Sequence, residues 1–178
     1  MGGPERSILL LGGARSGKSR LALELVEKSG LSPLFCATSL PVDREMEVRI
    51  LRHQAERPPH FETVEVPLGF SPLWEKDLRQ RALLLDCVSL LVSNVLLEEE
   101  EEERSYGRVC REFEALFSRQ KRDDFLLVLV SNEVGMGVVP EYPLGRTYRD
   151  LLGRVNQWLA ARVEAVYFVV AGIPWRIK

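Results

Sequence analysis

A three-layer α/β fold with a mostly parallel central sheet follows from three observations along this 178-residue chain. Strand-like and helix-like patterns alternate from end to end, and that alternation builds parallel sheets with helices on both faces. Leu83-Leu84-Leu85 and Phe125-Leu126-Leu127-Val128-Leu129-Val130 are apolar without alternating, as strands covered on both faces are. The first strand pattern also leads at once into a glycine-rich turn and a helix. The turn reads Gly12-Gly13-Ala14-Arg15-Ser16-Gly17-Lys18-Ser19 and the helix opens Arg20-Leu21-Ala22-Leu23-Glu24-Leu25-Val26, the arrangement of a P-loop nucleotide-binding fold.

In chain order, strands are expected at 7–11, 33–37, 62–66, 82–86, 125–131 and 165–170, and a short one is allowed at 175–177. Helices are expected at 17–29, 43–56, 72–80, 88–98, 105–121 and 146–163. Asp43 suits the N-cap of the second helix, Glu45 and Glu47 suit its positive first turn, and Pro58-Pro59 ends it. Six consecutive glutamates, 98–103, read as a solvated helix end or loop, loosened by repulsion between like charges. Residues 1–178 read as one nucleotide-binding catalytic domain, with residues 1–6 a flexible tail.

Composition narrows the function. Hydrophobic residues at 46% and charged residues at 28% are ordinary globular values. Twenty-four basic against 26 acidic side chains give a net charge of −2, which supplies no basic stripe for nucleic acid or a membrane surface. Cys36, Cys87 and Cys110 are odd in number and widely spaced, unlike a disulfide framework or a zinc site. No apolar run reaches membrane-spanning length and no signal-peptide pattern opens the chain, so a cytoplasmic protein is expected.

The glycine-rich turn lets successive N–H groups face phosphate oxygens at a helix N-terminus. Lys18 would reach the β- and γ-phosphates, and the Ser19 hydroxyl would bind Mg²⁺. Asp86 ends a leucine strand, the place of a Walker B carboxylate that holds Mg²⁺; an N-cap for the following helix is its structural alternative. Ligands of parallel sheets bind beyond the carboxyl ends of the strands. That rule singles out 12–19, 37–45, 86–89 and 131–140, including Thr38-Ser39 and Ser131-Asn132-Glu133, although turn chemistry alone would also explain these polar clusters. His53 borders the apolar stripe of the 43–56 pattern, with Arg49, Arg52 and Arg57 about it. Cationic surroundings favour the neutral, nucleophilic imidazole; from local features alone, a half-exposed helical histidine without a role is the better reading.

These residues fall together in one family. Matching stretches are 12–19, Ala37-Thr38-Ser39, Arg49-Ile50 with His53 and Arg57-Pro58, Thr63-Val64-Glu65, and Leu85-Asp86-Cys87. They continue through Val130-Ser131-Asn132-Glu133-Val134-Gly135-Met136-Gly137-Val138-Val139-Pro140, Gly153-Arg154-Val155-Asn156-Gln157 and Val169-Val170-Ala171-Gly172-Ile173-Pro174 with Lys178. In them the chain resembles, over nearly its whole length, the bifunctional adenosylcobinamide kinase / adenosylcobinamide-phosphate guanylyltransferase family of cobalamin biosynthesis. The resemblance implies two reactions, with GTP and ATP as nucleotide substrates and Mg²⁺ as cofactor. A nucleoside triphosphate phosphorylates the aminopropanol hydroxyl of adenosylcobinamide, and GTP then donates GMP to that phosphate through a histidine–GMP intermediate. It implies catalytic roles for His53, Lys18 and Asp86. Nucleotide contacts would fall on Gly12, Gly13, Ala14, Arg15, Ser16, Gly17, Lys18, Ser19, Ala37, Thr38, Ser39, Arg57 and Glu65, and Mg²⁺ on Ser19 and Asp86. A homotrimer is implied as well. Two departures stand out: Arg52 replaces the second histidine some relatives carry before the nucleophile, and Asp86 stands where some have glutamate. The competing classes are a nucleic-acid ATPase, a GTP switch, which would want an Asn-Lys-x-Asp guanine reader that the chain lacks, and a small-molecule kinase with no nucleotidyl transfer.

Overall fold

The computed structural model describes residues 5–40, 44, 48, 51, 55 and 57–178. Its strands are β1 (Ser7–Leu11), β2 (Ser32–Ala37), β3 (Glu62–Glu65), β4 (Arg81–Asp86), β5 (Leu126–Val130), β6 (Ala165–Val170) and β7 (Ile173–Arg176). They form one sheet in the order β3-β2-β4-β5-β1-β6-β7. Every neighbouring pair is parallel except β6 and β7. The helices are α1 (Lys18–Lys28), α2 (Val88–Glu99), α3 (Glu102–Asp123) and α4 (Pro143–Arg162).

Unbroken apolar strands are needed because the sheet has a core on each face. Ile8, Leu10, Leu84 and Val128 point to one side and pack with Ala22 and Val26 of α1. Leu9, Leu83, Leu85, Leu127 and Leu129 point to the other and meet α2, α3 and α4 through Leu91, Val95, Phe113, Leu152 and Val155. Burying each such side chain contributes roughly 1.5–3 kcal/mol, so these strands carry much of the driving force for the fold.

Three expectations change. No helix spans 72–80: a single 3₁₀ turn covers Ser71–Leu73. Phe70, Leu73 and Leu78 are fully buried there, but the backbone acceptors are taken from outside. Arg119 of α3 donates to the carbonyls of Trp74 (3.0 Å) and Lys76 (2.6 Å), and the Asp77 carboxylate accepts from the Arg79 N–H at 3.1 Å, a local bond that favours a turn over a helix. The last strand lies at Ile173–Arg176 rather than 175–177. The glutamate run is not a loose segment: α2 ends at Glu99, Glu100 takes a left-handed conformation (φ 58°), and α3 restarts at Glu102. Arg108 pairs with Glu98 and Glu99, and Arg154 with Glu102 and Glu103.

Within the expected helix 43–56, residues 44, 48, 51 and 55 have helical backbone; His53 and Arg52 lie outside the described residues. Residues 1–4 lie outside them too, whereas Arg6 pairs with Asp124 at 2.9 Å and its carbonyl accepts from the Leu127 N–H at 2.8 Å. No helix among the described residues is long and apolar enough to cross a membrane.

Candidate active site

The strand register places the chemistry in one row. Glu65 is level with Ala37, Ala37 with Asp86, Asp86 with Val130, and Val130 with Leu10. Just beyond this row, at the carboxyl edge, emerge the P-loop after β1, Thr38-Ser39 after β2, Cys87 after β4, and Ser131-Asn132-Glu133 after β5.

The P-loop is clamped from both flanking strands. The Glu133 N–H, after β5, donates to the Gly12 carbonyl at 3.0 Å, and the Gly172 N–H, after β6, donates to the Ser16 carbonyl at 2.8 Å. Glycine is required at two points of this turn. Gly12 has φ +151°, and a Cβ there would run into the Val169 carbonyl; Gly17 has φ +97° and would meet Gly172 Cα at 3.2 Å. Ala14 and Arg15 form the exposed tip of the turn, with Arg15 in the left-handed region at φ 57°. Lys18 is only 5% exposed. Its ammonium donates to the Gly13 carbonyl at 2.6 Å and to Ser16 Oγ at 3.3 Å. Burial lowers the Lys18 pKa, opposed by the nearby Cys87 and Asp86 groups. A cation is therefore held inside a ring of backbone dipoles, close to a carboxylate, at the N-terminus of a helix. Ser19 follows in the first turn of α1, half-buried.

A polar network ties the other edge loops together. The Thr38 hydroxyl accepts from the Cys87 N–H and donates to the Cys87 carbonyl, both at 2.8 Å. Asn94 of α2 donates to the carbonyls of Thr38 (2.9 Å) and Pro67 (3.0 Å). Ser89 Oγ lies 2.8 Å from Cys87 Sγ and accepts from the Asn132 amide at 2.9 Å. Asn156 of α4 accepts from the Ser131 hydroxyl at 2.7 Å and donates to the Asn132 carbonyl at 3.0 Å. Burial pushes the Cys87 thiol up to about 11, with the Asp86 charge adding, so that sulfur is a neutral packing group rather than a nucleophile.

Arg57 and Glu65 sit at the β2–β3 side. The Arg57 guanidinium lies 3.5 Å over the Phe35 ring, a cation–π stack, and donates to Thr63 Oγ1 at 2.9 Å. Burial lowers its pKa and the Asp86 charge raises it. Arg57, Pro58, Pro59, Phe61 and Thr63 line a cavity of about 200 Å³.

Of the residues picked out by sequence, the structure brings 12–19, 37–39, 65 and 86 to one edge, while Arg57 lies on Phe35 and Thr63, two residues back along β2 and β3. The Thr38 hydroxyl is spent on the Cys87 peptide, leaving Ser39, half-buried, as the freer hydroxyl of that pair. Ser89 falls in the singled-out segment 86–89, whereas Asn94 and Tyr148, whose hydroxyl donates to the Ser89 carbonyl at 3.2 Å, were not anticipated. Of these two only Asn94 left a signal, an amide beside Ser93 in the mostly apolar stretch Leu90-Leu91-Val92-Ser93-Asn94-Val95-Leu96.

The comparisons with known proteins agree with one another. Residues 8–177 match the family described as cobinamide kinase / cobinamide phosphate guanyltransferase. The chain is 43% identical over 171 residues to the bifunctional adenosylcobalamin biosynthesis protein CobP of Pseudomonas aeruginosa, covering 96% of both chains. It is 43% identical to the bifunctional adenosylcobalamin biosynthesis protein CobU of Salmonella typhimurium and 42% identical to that of Escherichia coli, in each case over 96% of this chain and 99% of the relative.

Proposed function

The chain belongs to the cobinamide kinase / cobinamide phosphate guanyltransferase family of transferases, and from that premise we propose how its own residues divide the two reactions. In the first, the aminopropanol hydroxyl of adenosylcobinamide attacks the γ-phosphorus of ATP or GTP. The bond to the β-phosphate oxygen breaks, the diphosphate leaves and the hydroxyl proton is released. Lys18 and the amides of 12–19 hold the phosphates, while Arg57 and Glu65 sit where the nucleoside would lie. Phosphoryl transfer of this kind needs positioning and charge neutralisation more than covalent help.

In the second reaction the His53 imidazole attacks the α-phosphorus of GTP and pyrophosphate leaves. A phosphate oxygen of the acceptor then displaces the imidazole, so that the P–N bond breaks as the new P–O bond forms. Two easier displacements replace one. Asp86 and Ser19 would hold Mg²⁺, which typically takes one or two protein oxygens and completes its shell with phosphates and water. When bound, it would neutralise charge on the phosphates.

The observation that carries this reading is the Lys18 ammonium buried within the loop and facing the Asp86 charge. We read 1–178 as one catalytic unit of a cytoplasmic protein without a nucleic-acid partner, in line with its net charge of −2. The homotrimer of the resemblance would use the exposed border strand β7. Incubation with α-labelled GTP and Mg²⁺ tests the assignment. Wild-type protein gains an acid-labile, base-stable GMP adduct and His53→Ala gains none, while His53→Ala still phosphorylates cobinamide. A labelled His53→Ala protein overturns the intermediate; an active kinase whose wild type never takes label indicates a small-molecule kinase alone.

A further inference from the structure

Residues 134–144, which run from the loop after β5 into the first turn of α4, carry the largest group of exposed apolar side chains at the carboxyl edge, among the described residues. Val138 is 95% exposed, Met136 78% and Tyr142 74%, with Val139 and Leu144 also exposed. An isolated exposed apolar side chain is ordinary, but a contiguous group marks a binding surface. This loop is also pinned at both ends. At its start the Glu133 carboxylate accepts from the Gly135 N–H at 2.8 Å, and the Glu133 N–H is the one that holds Gly12 of the P-loop. At its end Arg146 donates to the carbonyls of Pro140 (3.1 Å) and Glu141 (2.6 Å). The apolar group is thus presented on a braced segment that starts beside Glu133, which is bonded to the P-loop.

We propose that Met136, Val138 and Val139 form the docking surface for the corrin ring of the acceptor. This rests on the cobinamide reading above. The chemistry of the acceptor selects the occupant. The hydroxyl to be phosphorylated hangs on a short arm from a broad macrocycle whose faces are hydrocarbon-rich and whose rim bears amides. For that hydroxyl to reach a γ-phosphate held by Lys18, the ring must lie over the carboxyl edge beside the P-loop. The 134–144 loop supplies apolar contact at that place. The other exposed apolar strip, Ile173, Trp175 and Ile177, follows β7 along the border of the sheet, where the Ile177 N–H is bonded to the Val166 carbonyl, and so runs away from the phosphate edge.

The test is steady-state phosphorylation of cobinamide by wild type and by the double variant Met136→Ser, Val138→Ser. Binding of a fluorescent GTP analogue and the solution mass are measured on the same samples. Losing the burial of two such side chains raises the KM for cobinamide about tenfold or more, while nucleotide affinity and mass stay at wild-type values. An unchanged KM in the double variant, with an active wild type, overturns the docking surface alone. A fall in mass overturns it in favour of a second copy of the chain on this loop. A wild type that does not phosphorylate cobinamide removes the parent reading, and the docking surface with it.

Discussion

Lys18 carries a cost in the empty protein that a nucleotide removes. Burial lowers its pKa, so folding disfavours the ammonium form. That penalty is complete below the folded-state pKa and vanishes as pH rises to the ordinary lysine value. Triphosphate oxygens reverse the balance by giving the charge a partner. Lys18→Met is therefore expected to melt no earlier than wild type without nucleotide, yet to lose the rise in melting temperature that GTP gives wild type. Lys18→Ala should lose kinase activity. Normal phosphorylation of cobinamide by Lys18→Ala would remove the lysine from the mechanism. Asp86→Asn keeps shape and loses charge. It should lower the rates of both reactions by orders of magnitude with the fold intact, as thermal melts and a Mg²⁺ titration of activity would show. Unchanged Mg²⁺ dependence would remove Asp86 from the metal site; it is no helix cap, since the N-cap of α2 is Cys87.

Among the elements, legibility followed how local the stabilising bonds are. The strands β1, β4 and β5 were readable because each is apolar on both faces, and the P-loop because its glycines answer to local backbone demands. The segment 72–80 was misread because its backbone carbonyls are claimed by Arg119, more than 40 residues away in the chain, a bond that no local pattern contains. The same holds for the brace beneath the site: Ser131 meets Asn156, and Thr38 meets Cys87, only once the fold has formed. Asn156→Ala tests how much that brace supports. It strips the buried Ser131 hydroxyl and the Asn132 carbonyl of their partners, a loss of about 1–3 kcal/mol in urea unfolding. Because Asn132 then loses its anchor beside Glu133, which holds Gly12, nucleotide affinity should fall as well. A stability loss with unchanged nucleotide affinity would confine Asn156 to packing.

At the scale of the molecule, β7 is the unresolved economy of the sheet. It pairs with β6 on one side only, and the sheet order ends with it. Among the described residues no strand pairs with its other side, where Pro174 offers no N–H. Ile173, Trp175 and Ile177 alternate along it and so share a face, with Ile173 70% and Trp175 69% exposed. An isolated protein normally blunts such an edge with charge or proline. Here Pro174 and Arg176 fall on the alternate positions, and the shared face stays apolar. In the homotrimer proposed above a second copy would cover it, since each copy offers the same strip and a closed ring would bury all of them. Sedimentation at micromolar concentration should give wild type three times the 20.2 kDa chain mass. Trp175→Lys with Ile173→Lys should give a single chain that keeps its helical content, because charges would have to be buried without partners on association. Nucleotide binding should persist in the single chain, since Lys18, Asp86 and the clamp from Glu133 and Gly172 all lie within one copy. A wild type already at 20.2 kDa would show that the strip serves something other than self-association.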